Sequence, residues 1–495
     1  MNKLNLANDY VNMHQSQIQI RPAFHFTAPI GWLNDPNGFS FFKNAYHLFY
    51  QYHPYNTNWG PMHWGHAKSN DLIKWEHLPV ALAPDEAYDC DGCFSGSAMV
   101  VNDELCLMYT GNVGSVYEKT DDLEPVRQNQ NIAFSKDGIH FTKYANNPVL
   151  DENDLPSGSI PQDFRDPKVF YMNGMYYAII VAKDKENGGQ AQLYRSEDFL
   201  NWTFRSVLAS SQNQFGEMWE CPDLFSLNSE SFSDVLMLSI INENTIGPKH
   251  TTQYFIGDMN YNSGTYDWKH TDELDCGFSF YAPQTTVDPS GRRIMIAWLN
   301  MWGAAMPTSV YGWNGMMSVP RVLTLHNNKL YQYPIDEIKS YRKNAITYEN
   351  LVFENNLQLE QVAGKQLDLE LSLDLSKTEA FSIKLRKGQD CETTLMYECR
   401  NSQLILDRSK NGEPISEAIT SENEHSYIRR KPLVLKDNLL KIRALVDHYS
   451  IELFINDGEM ALSSTIFPHE DGQQIEFYSE GLTKILRLEK YDIIV

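Results

Sequence analysis

Three carboxylates in short polar motifs carry the chemistry that this sequence could perform. Asp35 lies in Trp32-Leu33-Asn34-Asp35-Pro36-Asn37-Gly38, Asp166 follows Arg165 and precedes Pro167, and Glu220 opens Glu220-Cys221-Pro222-Asp223. A single acid among Asn, Pro and Gly is simply a tight turn. Three acids gathered at one mouth would suit calcium binding, the binding of a polar ligand without chemistry, or glycoside hydrolysis. The last needs one ionised and one protonated carboxyl flanking the bond. No loop has the oxygen-ligand spacing of a calcium-binding hand, so no metal and no cofactor is expected. The neighbours differ in a useful way. Backbone amides after Pro36 should hold Asp35 ionised, as a nucleophile requires. Apolar Met218 and Trp219 should lift Glu220 from about 4.3 towards neutrality, as a general acid requires. The Arg165 cation should keep Asp166 ionised.

Positioning these acids falls to a repeat. From Arg21 to about Leu325 the chain reads as short aromatic and β-branched strands broken by Gly, Asn and Asp, without helical periodicity. One unit recurs: a polar motif, an apolar strand, a turn and a returning strand. Its five openings are Asn34-Asp35-Pro36, Phe94-Ser95-Gly96, Arg165-Asp166-Pro167, Glu220-Cys221-Pro222-Asp223 and Tyr281-Ala282-Pro283-Gln284. A second echo, Ser-x-Asp-x-x-x-aromatic, falls at Ser69 to Trp75, Ser135 to Phe141 and Ser196 to Trp202, as an outer hairpin turn would. The pattern predicts an all-β protein whose residues 21–325 form a five-bladed β-propeller, with Asp35, Asp166 and Glu220 at one end of its channel. Residues 1–20 read as a short leader, and 326–349 as a linker with a helical stretch near Ile335 to Arg342. Alternating strands over 350–495, with a hairpin turn at Asn456-Asp457-Gly458, read as a β-sandwich.

Lys and Arg number 41 against 64 Asp and Glu, a formal charge of −23. Such a surface repels phosphate backbones and anionic lipid, which excludes nucleic-acid and membrane partners. Aromatic residues make up 12% of the chain, which suits both sheet cores and the apolar faces of sugars. Met1 to Ile20 holds no apolar run like a signal peptide, and the seven cysteines are an odd number, which points to reduced thiols in cytoplasm. Cys90 and Cys93 have CxxC spacing without a second pair, and His63 and His66 read as sheet surface rather than metal ligands.

The four motifs around Asp35, Phe94-Ser95-Gly96, Asp166 and Glu220 resemble the signatures of glycoside hydrolase family 32, which contains invertases, fructan hydrolases and sucrose-6-phosphate hydrolases. Val446-Asp447-His448-Tyr449-Ser450-Ile451-Glu452-Leu453-Phe454 resembles its late motif. The resemblance implies a retaining β-fructofuranosidase acting on sucrose, its 6-phosphate or short fructo-oligosaccharides. Asp35 would be the nucleophile, Glu220 the general acid/base and Asp166 the transition-state stabiliser. Asn34, Gln51, Trp59, Phe94, Ser95 and Arg165 would line the fructosyl subsite, with Trp298 a further candidate. A fructosyltransferase and a non-catalytic sugar-binding propeller are the alternatives. Ser279 departs from the family, which often carries Asp there, and could alter recognition beyond the fructosyl ring. No basic motif is assignable to a phosphate: Lys183, Lys185, Arg292 and Arg293 read equally well as surface residues. The sandwich offers a face for homo-oligomer contacts.

Overall fold

The computed structural model describes residues 2–18, 20–114, 125–227, 233–243, 245, 247–304, 306–415 and 426–495. Five antiparallel sheets are arranged radially. Blade I holds Gly31–Phe42, Ala45–His53, His63–Ser69 and Glu76–Leu82; blade II holds Gly92–Val101, Glu104–Val113, Arg127–Ser135 and Thr142–Lys143. Blade III holds Arg165–Met172, Met175–Asp184, Gly188–Ser196 and Thr203–Ser210, and blade IV Met218–Ser226, Asp234–Ile241, His250–Asn260 and Thr265–Glu273. Blade V holds Tyr281–Val287, Arg293–Trp298, Arg321–His326 and Lys329–Pro334. The first strands of successive blades pack side by side, and that of blade V returns to that of blade I. Trp313–Asn314, a detour between two strands of blade V, pairs in parallel with Gly31 and Trp32 and closes the ring.

Blade V corrects the expected boundary. Lys329–Pro334 was expected in a linker, but it is that blade's outer strand and pairs with Arg321–His326. Its polar, alternating character is that of a strand with one face in solvent. A short 3-10 helix, Asp336–Tyr341, then leads directly into the sandwich strand Arg342–Leu357. The N-terminal stretch contains a helix, Lys3–His14, docked on blade I by a hydrogen bond from the Val80 amide to Asn8 Oδ1. The Ser-x-Asp echoes are outer hairpin turns: in each the Ser hydroxyl donates to the Asp, whose Oδ1 accepts two further backbone amides. His63 and His66 are not on a sheet surface. Both are buried, and His66 Nε2 lies 3.0 Å from His47 Nδ1.

In the sandwich, the long bent strands Leu367–Lys387 and Gln474–Ile493 pair with each other along much of their lengths. Leu367–Lys387 also takes Leu439–Val446 as a neighbour near one end and Glu392–Glu398 near the other. Alternating Leu367, Leu369, Leu371 and Leu373 fill its core.

The late motif fastens this layer to the propeller. Asp447 accepts the amides of Ala23, Phe24 and His25 and the His25 ring, while Glu452 accepts the other nitrogen of that ring at 2.9 Å and Arg321 at 2.5 Å. Arg321 also reaches Asp275 at 3.0 Å. Beside it, Gly277 passes so close that a Cβ there would sit 2.1 Å from the Ser463 carbonyl oxygen.

Candidate active site

The repeated motif is a repeated bulge. In every blade the first strand loses register with the second at its opening: between Leu33 and Pro36, Phe94 and Gly96, Arg165 and Lys168, Glu220 and Asp223, and Tyr281 and Gln284. A bulge leaves residues unpaired and re-aims their side chains. Asp166, Cys221 and Ala282 adopt φ of 62°, 48° and 52°, a left-handed conformation uncommon for non-glycine residues and concentrated at functional sites. Further along the same strands, Lys168 Nζ donates to Asp223 Oδ2 and to the Thr285 carbonyl, each at 2.8 Å, tying blades III, IV and V together.

Nine of the ten expected residues line one cavity of about 550 Å³: Asn34, Asp35, Gln51, Trp59, Phe94, Ser95, Arg165, Asp166 and Glu220. Asp35 and Asp166 lie within their bulges, whereas Glu220 is the last paired residue before its own. Trp298 does not reach the cavity. It is buried behind, with its ring against Trp32 and Trp302, and Trp302 forms the wall.

Asp35 Oδ2 accepts the Ser95 hydroxyl at 2.6 Å, and its Oδ1 accepts Asn34 Nδ2 at 3.1 Å. Asn34 is itself fixed by Trp32 Nε1 at 2.7 Å. The expected cradle of amides after Pro36 is replaced by these side chains. Burial pushes the Asp35 carboxyl up to about 6, the Ser95 and Asn34 hydrogen bonds hold it down, and the Glu220 charge adds to the rise. Asp166 Oδ2 accepts the Cys221 amide at 2.9 Å. Burial raises this carboxyl too; the Arg165 charge opposes that, and Glu220 and Asp35 reinforce it. Asp166 is therefore not held down as its sequence neighbour suggested. The Arg165 side chain instead turns to Glu220 Oε1, at 3.2 Å from Nε and 3.0 Å from Nη2, and to Asp163 at 2.9 Å. The apolar setting expected for Glu220 is likewise absent at its carboxyl. Met218 and Trp219 are buried in the core between blades, and Tyr281 donates its hydroxyl to Glu220 Oε2 at 2.7 Å.

Five functional candidates were not singled out from sequence. Tyr281 opens the fifth unit, as Glu220 opens the fourth, and that equivalence was the signal. Cys221 Sγ lies 3.5 Å from Asp35 Oδ2 and 3.6 Å from Asp166 Oδ2, between the two acids. Gln128, His250 and Trp302 come from later strands and loops and carried no motif.

Two hydrogen-bonded carboxyls, a third acid beside them and aromatic walls around a sugar-sized cavity are the parts that a glycoside hydrolase needs. The model of the glycosyl hydrolases family 32 N-terminal domain matches residues 25–334, and that of the family's C-terminal domain matches 337–492. The chain belongs to glycoside hydrolase family 32. A sucrose-6-phosphate hydrolase of Escherichia coli is 38% identical over 471 residues, covering 94% of this chain and 93% of that protein. A raffinose invertase of E. coli is 36% identical over 464 residues, covering 92% of each. Among solved structures, a sucrose-6-phosphate hydrolase from Lactobacillus gasseri superposes with a TM-score of 0.85 at 28% identity, over 100% of this chain and 98% of that one. A Bombyx mori family 32 β-fructofuranosidase superposes at 0.81 with 33% identity, over 99% and 98%, and a mutant of it was solved in complex with sucrose.

Proposed function

We propose that the chain is a β-fructofuranosidase that releases fructose from sucrose or its 6-phosphate by double displacement. An Asp35 carboxylate oxygen attacks the anomeric carbon of the fructosyl unit, and the bond from that carbon to the leaving oxygen breaks. Glu220 gives that oxygen its proton. Water then transfers a proton to Glu220 and attacks the fructosyl ester, which frees Asp35 and fructose. Asp166 accepts hydroxyls of the ring, and Arg165 and Tyr281 orient the Glu220 carboxyl. The observation that carries this reading is that Asp35 and Glu220 line one cavity with separate hydrogen-bond partners, so that two carboxyls can take two roles. The relatives' sucrose-type names support the substrate. The odd number of cysteines, all free, supports a reducing, cytoplasmic setting.

Fructose release from sucrose, sucrose 6-phosphate and a fructan trimer tests the proposal. Asp35→Ala and Glu220→Gln should each lower kcat on the preferred sugar by about 10²–10⁴-fold with the fold retained. Near wild-type turnover in either variant would refute these roles.

A further inference from the structure

Next to the catalytic cavity lies a second one, of about 510 Å³, and the two share His250 and Trp302 as walls. Three cations line it: Lys249 from blade IV, and Arg408 and Arg429 from the sandwich. Lys249 is paired with Glu243, another wall residue, at 2.6 Å. Arg429 lies against the Phe278 ring and donates to the Gly277 carbonyl.

Arg408 is the informative one. Its guanidinium is buried, 4.2 Å from the centre of the Phe278 ring. Its acceptors are neutral oxygens: the Ser426 carbonyl at 3.0 Å, the Thr465 carbonyl and hydroxyl at 3.2 and 3.3 Å, and the Ser279 hydroxyl at 3.4 Å. Arg321 and Arg443, also buried, hold carboxylates, whereas Arg386 is held, like Arg408, by neutral oxygens; of these four only Arg408 lines this cavity. No carboxylate among the described residues pairs with Arg408, although a buried cation without an anion is costly. An anion entering this cavity would supply the missing charge, and the oxygens of a phosphate match the fork of a planar guanidinium.

We infer that this second cavity receives a phosphoryl group carried by the leaving sugar, with Arg408 as its anchor and Ser279, where a carboxylate would have quenched that anchor, keeping it available. The inference rests on the hydrolase reading of the adjoining cavity. It makes the phosphorylated disaccharide the preferred substrate, and it places a local basic pocket against the global charge of −23.

The test compares kcat/KM for sucrose 6-phosphate and sucrose. The wild type should favour the phosphorylated sugar by more than about tenfold, the worth of a hydrogen bond to a charged group. Arg408→Met should collapse that ratio. Ser279→Asp, which supplies an internal carboxylate and keeps the arginine's packing, should lower it about tenfold as well, so the test survives if Arg408→Met does not fold. Glucose 6-phosphate should inhibit sucrose cleavage by the wild type about tenfold better than inorganic phosphate does. An equal wild-type preference for the two sugars, a ratio unmoved by Ser279→Asp, or equal inhibition by inorganic phosphate would each overturn the inference. Fructose release from neither sugar would instead overturn the hydrolase reading.

Discussion

As the proposed nucleophile Asp35 must be a carboxylate, yet burial pushes its carboxyl up to about 6. The sign follows directly: protonation removes the nucleophile, so activity is lost as pH falls through that value. A pH profile of kcat/KM should show an acid limb near pH 6, falling about tenfold per unit below it. A profile still flat at pH 4.5 would contradict a buried Asp35 nucleophile. Which residue partners which was poorly legible in sequence. Arg165 and Asp166 are adjacent in the chain, but the bulge turns their side chains apart, and the guanidinium binds Glu220, 55 residues away. Sequence neighbours set local conformation, whereas a buried charge responds to whatever the fold brings near.

At the scale of elements, five bulges in five first strands do the positioning, and this much was legible because each bulge needs a particular short motif. The outer strand Lys329–Pro334 was not, since a strand with one wet face has the composition of a linker. The late motif was visible as a resemblance, but its contact with the propeller was not. Burial alone would lower His25, but hydrogen bonds to Asp447 and Glu452, and their charges, push it up to about 9. Asp447 would rise on burial, but His25 holds it at about 2. A histidine raised in the folded state stabilises fully below its unfolded value of about 6.5, and that contribution is lost as pH rises through about 9. His25→Ala leaves two buried carboxylates short of a cation and should cost about 3–5 kcal/mol at pH 7 by denaturant unfolding. The difference from wild type should shrink above pH 9. A loss below 1 kcal/mol at pH 7 would show that the cluster is not a fastening.

For the whole molecule, the fold and the meeting of the three acids were legible together, because a repeat that closes into a ring brings distant motifs to one mouth. The basic cavity was not legible at all. Lys249 sits on a propeller loop and Arg408 in the sandwich, separated by more than 150 residues without a shared motif. Only docking of the two domains brings them to the cavity that shares a wall with Glu220's.

A fructosyl ester at Asp35 is the central intermediate of the proposed double displacement. In Glu220→Gln, a fructosyl donor with a leaving group that needs no acid should pass the first step and stall at the second, which needs the base. Acid quenching, digestion and mass spectrometry should then find one fructosyl unit on the peptide that contains Asp35. A fructosyl unit on any other residue, or turnover of that donor with product of inverted anomeric configuration, would contradict it.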